Sequence, residues 1–278
     1  MTQINKLISL FFLLTSFVYS NSLLSKPSDE VVVLNENNFV VIRGTINGQS
    51  TSKVVAKLSD NSEKDLYVYL NTGGGSVIDG MQIVQTLLTI QKTGRNIHCI
   101  GNVALSMGFV IMQFCQNRYV LESSILMQHQ MSLGTEGQLM NIKSYMQFID
   151  SMSESIDKRQ AERMGMTLVD FKNKANHDWW MFGGDSVLNN AADKLVYIQC
   201  DVKGTEVDFV PTFFGEAKLT FSRCPLARHP LKIEFENPIS NSTINREEAL
   251  REIYKSYDLS TYIQDRILGF DKSSSYTL

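Results

Sequence analysis

An apolar run of strand-forming type, Leu66-Tyr67-Val68-Tyr69-Leu70, passes through Asn71-Thr72 into three glycines, Gly73 to Gly75, and then Ser76. Behind them Met81, Val84, Leu87 and Leu88 recur at helical spacing as far as Lys92, which predicts a helix of about four turns. A strand that turns on glycine straight into a helix is the opening of a β-α unit. Strands joined by such crossovers lie parallel and need helices on their faces. The glycines let the backbone turn sharply and leave N–H groups bare, where they can face an anion or a developing oxyanion. No Lys-Ser/Thr pair follows, so this is not a Walker loop. Ile78 stands where a third spaced glycine would be, so it is not a dinucleotide fingerprint either. A plain tight turn explains the run as well as an anion-facing loop does.

The same alternation extends along the chain. Val31 to Leu34 and Phe39 to Arg43 read as strands, and Ser50 to Leu58 as a short helix. Asn96 to Ile100 reads as a strand and Ser106 to Phe114 as a helix. Arg118 to Leu121 and Ile125 to Gln128 read as two short strands. Gln138 to Met164 is a long amphipathic helix, Leu168 to Ala175 a shorter one, and Gly184 to Ala192 the last of this unit. A mainly parallel α/β domain is therefore expected over 31–199. Residues 200–278 have another texture: a hairpin, Val207 to Phe214 and Lys218 to Ser222 with Gly215 and Glu216 in the turn, a charged helix from Arg246 to Tyr257, and a Ser-rich end. They read as an appendix.

With 278 residues, 43% hydrophobic and 20% charged, the chain can bury a large core. A net charge of −3 argues against a general nucleic-acid binder. Near the start, Lys6 precedes an apolar run from Leu7 to Tyr19, and Val18-Tyr19-Ser20 resembles a signal-peptidase site. That run is shorter than the roughly 20 residues a membrane helix needs. Residues 1–20 are expected to be a cleaved export signal, placing the protein in a periplasm, a lumen or outside the cell. Retention as a membrane anchor is the alternative. Cys99, Cys115, Cys200 and Cys224 form no C-x-x-C pair, so a zinc ribbon or redox motif is not expected. Either Cys200 and Cys224 form a disulfide around the hairpin, or all four are small apolar fillers. Asn241-Ser242-Thr243 is a glycosylation sequon.

Two further places can carry chemistry. Ser106, in Ala104-Leu105-Ser106-Met107-Gly108, sits between a strand and a helix, where the helix N-terminus favours an alkoxide and the next N–H can donate. An ordinary N-cap serine is the other explanation. His129, in Met127-Gln128-His129-Gln130, ends a short strand before a glycine-containing loop. His98 lies inside a strand, His229 in the appendix, and His177 beside Asp178.

Taken together these segments resemble the proteolytic subunit of Clp protease. Residues 66–77 are similar to that family's Tyr-Ile-Asn-Ser-Pro-Gly-Gly segment, 104–108 to its Ala-Ser-Met-Gly motif, and 127–130 to its Met-Ile-His-Gln motif. Asp178-Trp-Trp-Met and Ala191-Ala-Asp-Lys-Leu resemble the end of its domain, and about 165 residues are covered, from Phe39 to near Tyr197. The resemblance implies an α/β fold of the Clp protease and crotonase type, built of repeated β-β-α units with a protruding handle helix. It also implies a serine-type endopeptidase. Ser106 would be the nucleophile, His129 the base and Asp178 the acid. Gly75 and Met107 would supply the oxyanion-hole amides, with Gly74 and Ser76 beside the substrate. No cofactor or metal is implied. Peptide or unfolded protein is the implied substrate, and the long helix suggests a homo-oligomeric ring.

There are departures: Gly73 replaces the proline of the glycine motif, Met131 replaces a proline after His-Gln, and Gly183-Gly184-Asp185-Ser186 replaces the usual start of the last helix. Three other readings stay open. Signal-peptide-peptidase-A and NfeD-type proteases share the sheet but use a lysine base. Crotonases share the fold and handle acyl-CoA. A non-catalytic scaffold of the same fold would use the surface alone.

Overall fold

A computed structural model describes residues 30–212, 215–235 and 243–257. The N-terminal apolar run, Asn241 and Ser242 of the sequon, and the Ser-rich end lie outside the described residues. The order is β1 (Val31–Asn35), β2 (Phe39–Ile46), α1 (Gly48–Asp60), β3 (Asp65–Gly75), α2 (Val77–Lys92), β4 (Asn96–Leu105), α3 (Met107–Gln113) and β5 (Asn117–Gln128). Then come α4 (Leu139–Arg163), α5 (Leu168–Ala175), β6 (Trp179–Phe182), α6 (Asp185–Leu188), β7 (Lys194–Leu195) and β8 (Tyr197–Asp201). The chain continues with β9 (Thr205–Thr212), β10 (Gly215–Ser222), β11 (Lys232–Phe235) and α7 (Thr243–Tyr257).

The main sheet runs β2-β3-β4-β5-β6, with β7 beside β5. Strands β2 to β5 are parallel and β6 is antiparallel to β5. The middle of β3 and most of β4 are buried on both faces, as a parallel sheet between two layers requires. One layer is helical. Val54 and Leu58 of α1, Ile83 and Leu87 of α2, Ile111 of α3, Ile156 of α4 and Phe171 of α5 all join the core on that side. Across the sheet, β1 pairs in parallel with β8, and Val32 and Leu34 pack on Tyr69, Ile100, Tyr119 and Leu121. Local chemistry sets the helix starts. Asn47 and Ser50 cap α1 reciprocally, and Ser76 caps α2 by accepting from the Asp79 amide at 3.3 Å.

Several expectations need correction. Arg118 to Leu121 and Ile125 to Gln128 are one strand, β5. Its pairing with β4 shifts register between Gly101 and Val103, so Glu122 and Ser123 bulge outward while the Ser124 hydroxyl donates to the Gly101 carbonyl at 2.5 Å. Residues 184–192 are not a full helix. After the single turn α6, Asn190 adopts φ 55° and the amides of Ala191 and Ala192 both donate to the Ser186 carbonyl, which closes the helix with an αL cap. Gly215 and Glu216 belong to β10, with residues 213–214 between it and β9.

The appendix is docked on the α/β unit. Arg43 of β2 donates to Glu206 of β9 at 2.8 Å and lies over the Phe221 ring at 4.1 Å. The Tyr257 ring packs on Gly44, where a Cβ would stand 2.8 Å from it.

Candidate active site

Strand β4 ends at Leu105, and Ser106 takes φ 53° and ψ −117° before α3 begins. A non-glycine residue held there stores on the order of 1–3 kcal/mol of strain. Its backbone is pinned on both sides: the amide donates to the Met127 carbonyl at 2.8 Å, and the carbonyl accepts from the Val110 amide at 3.1 Å. Its side chain makes no capping bond to α3. The N-cap explanation for Ser106 is therefore excluded, in contrast to Ser76, which does cap.

The glycine loop lies against this serine. Gly74 is buried with φ 96°. A Cβ there would stand 2.8 Å from both the Ser106 Cβ and the Leu105 oxygen, and 3.0 Å from the Met107 nitrogen. Only glycine allows that approach. The Gly74 N–H is itself occupied, donating to Thr72 Oγ1 at 3.0 Å. Gly75, with φ 143°, is exposed. Since Gly75 is bonded to Gly74 and the Met107 amide touches Gly74, both backbones border the same patch as Ser106.

On the other side β5 ends at Gln128, which pairs with Trp179 of the antiparallel β6. Asp178 directly precedes Trp179 and His129 directly follows Gln128, so the two stand at the same end of the β5-β6 pair. Beyond it the Gln130 amide donates to the Ala175 carbonyl at 2.8 Å, holding the two segments together. His129 and Asp178 are half-buried and each has an interaction partner, whereas His177 is exposed.

Ser106 and His129 line one cavity of about 40 Å³, a volume that one or two waters fill. Val77, Met107, Val110, Met131 and Ile156 form its apolar wall. Ser153 and Asp157 of α4 complete it, together with Gln128, and Gln128 donates to Gln160 of α4 at 3.0 Å. Burial pushes the Asp157 carboxyl above the usual carboxylate range, against the opposing pull of Lys172 and of a hydrogen bond from Ser153. Asp157 and Ser153 were not singled out from the sequence. Their spacing with Ile156, at i, i+3 and i+4, would have placed all three on one helix face.

The four cysteines form two disulfides. Cys99 of β4 and Cys115 beyond α3 lie with S–S 2.00 Å, 16 positions apart in sequence with Ser106 between them. Cys200 and Cys224 lie with S–S 2.01 Å. A larger cavity of about 820 Å³ separates α1 from the appendix. It offers no such chemistry, because Arg43 and Lys57 pair with Glu206 and Lys53 pairs with Asp208.

The family model for Clp protease matches residues 25–196. The chain belongs to the Clp protease family. The match spans β1 to β7 and stops one residue before β8, so the hairpin and α7 lie outside it. The α/β architecture is that of a ClpP-like protein, and membership supports a ClpP-like peptidase. Every motif that carries the resemblance lies inside the matched span.

Proposed function

We propose that this chain is a serine-type endopeptidase that cleaves peptides or unfolded protein, with Ser106 as nucleophile, His129 as general base and Asp178 as the acid that fixes its tautomer. The observation that carries this is a strained serine that caps nothing, sharing a cavity with His129. His129 takes the Ser106 proton as the hydroxyl attacks the carbonyl, and later returns it to the leaving amine. The Gly75 and Met107 amides hold the tetrahedral oxyanion, where one donor is worth about 10²-fold or more in rate. Two paired disulfides fit an exported protein, working outside the cytosol and without an ATP-driven unfoldase.

The test is labelling of the folded protein by a fluorophosphonate probe. Wild type labels at Ser106, while Ser106→Ala does not label and His129→Ala labels at least a hundredfold more slowly. Absence of labelling in folded wild type refutes the peptidase and favours a scaffold. Full activity in His129→Ala would point to a lysine base.

A homo-oligomeric ring is the proposed assembly. The first half of α4 leaves Leu139, Met140 and Phe148 more than half exposed, at 66%, 70% and 54%, an apolar face of the kind a second copy covers. A monomer by light scattering at micromolar concentration refutes it.

A further inference from the structure

The cavity beside Ser106 has a composition of its own. Five of its side chains, Val77, Met107, Val110, Met131 and Ile156, are apolar. Asp157 is its single acidic one, and α4 contributes it, whereas Ser106 and His129 follow strands β4 and β5. A carboxylate set among apolar walls is unfavourable unless a cation or donors compensate it. The compensation present is partial. Ser153 supplies one hydrogen bond, and Lys172, the cation that acts on it from α5, is itself exposed. Burial still outweighs both. A second cation would find five apolar side chains beside a carboxylate, in a cavity that Ser106, Gln128, His129 and Ser153 also line; an unbranched lysine or arginine stem can lay its methylenes on the former and its charge on the latter.

The position fixes which substrate residue this would be. A peptide whose carbonyl is attacked by Ser106 carries that residue's side chain into the space the serine borders. The cavity is narrow; of its two thioether wall residues Met107 is buried in the core, and Met131 is only partly buried, so its flexible stem is the one that can move aside. Met131 also lies on the segment of irregular structure between β5 and α4. A thin, unbranched chain can enter between them more easily than a branched or aromatic one.

We infer that Asp157 is a specificity-determining residue that selects lysine or arginine at the acyl side of the bond cleaved by Ser106. This rests on the peptidase reading above, and the experiment separates the two. Matched fluorogenic peptides differing only in the residue before the scissile bond (Lys, Arg, Leu, Glu) are compared by kcat/KM. Wild type is expected to prefer Lys and Arg over Leu by at least tenfold and to reject Glu. In Asp157→Asn the Lys-to-Leu ratio falls at least tenfold, and Asp157→Glu recovers part of it. These ratios do not depend on the fraction of variant that folds. A readout without a variant uses wild type alone: n-butylamine slows fluorophosphonate labelling of Ser106 more than n-butanol does at equal concentration. Labelling with a preference for Leu, an unchanged ratio in Asp157→Asn, or stronger protection by butanol overturns the inference while leaving the peptidase standing. A folded wild type that neither labels nor cleaves overturns both.

Discussion

Replacing Gly74 by alanine tests the contact on which the site depends, through a residue with no chemistry of its own. Two costs can be worked out. The first is conformational: at φ 96° an L-residue is strained by about 1–2 kcal/mol or more. The second is steric. The new Cβ would stand 2.8 Å from the Ser106 Cβ and the Leu105 oxygen, and 3.0 Å from the Met107 nitrogen. All three belong to a backbone pinned by the Ser106 to Met127 hydrogen bond, so none moves freely, and overpacking of this kind costs about 1–3 kcal/mol. The sum is about 2–5 kcal/mol. At roughly 2–4 °C per kcal/mol for a domain of this size, Tm falls by roughly 4–20 °C.

Gly94 separates the two costs. It has a similar φ of 86° but nothing within 4 Å of its missing Cβ, so Gly94→Ala carries the backbone term alone, about 1–2 kcal/mol. Calorimetry and fluorophosphonate labelling of the two variants form the assay. Gly74→Ala is expected to lose more Tm than Gly94→Ala and to label at least tenfold more slowly than wild type, because Ser106 and Met107 are pushed off position. Gly94→Ala should label at the wild-type rate. If Gly74→Ala is no less stable than Gly94→Ala and labels as fast as wild type, the packing of the glycine loop on Ser106 is wrong.

Two other perturbations probe the frame around the site. The Cys99–Cys115 bridge closes a loop between residues 16 positions apart in sequence, worth about 3 kcal/mol by chain entropy. Reductant should therefore lower the wild-type Tm, and lower it less in Cys99→Ala/Cys115→Ala; a reductant-insensitive wild type refutes the bridge. Desolvation alone would raise the pKa of Asp193, but the hydrogen bonds and charge of Arg118 hold it below the ordinary 3.8. A depressed carboxylate stabilises the fold above its unfolded pKa, and that stability is lost as pH falls through the folded value. Between pH 5 and 3 the wild-type Tm should fall more steeply than that of Asp193→Asn, and equal slopes would refute the pairing.

How much of this was legible in the sequence follows from what each feature depends on. The β-α-β frame from Phe39 to Lys92 could be read because each element carries its own periodicity, and the glycine run marks a turn without help from elsewhere. Ser106 and His129 stood out because each lies at the end of an apolar run. The interruption of β5 at Glu122 and Ser123 was misread as a break between strands, since a bulge exposes polar residues just as a turn does. Strand β6 was invisible. Four residues, Trp-Trp-Met-Phe, have no alternation to speak of, and they become a strand only because Gln128 and Met127 are there to pair with. Asp178 inherits that problem, since its place at the same end of the β5-β6 pair as His129 comes from that pairing and not from its own neighbours.

Asp157 is the instructive case. On a helix of 25 residues with charges on most turns, one more aspartate reads as part of a solvated face. What distinguishes it is that α4 crosses the end of β5, where Gln160 meets Gln128, and so turns the face bearing Ser153, Ile156 and Asp157 onto Ser106. The proposed nucleophile was recognisable because it lies between a strand and a helix in a short motif of its own. The residue proposed to choose the substrate was not, because its role is created by a helix packing across the mouth of the site, and that is a tertiary fact. In an α/β protein of this kind, catalytic groups at strand ends are thus easier to read from sequence than the specificity of the same site, which is set by whichever helix covers it.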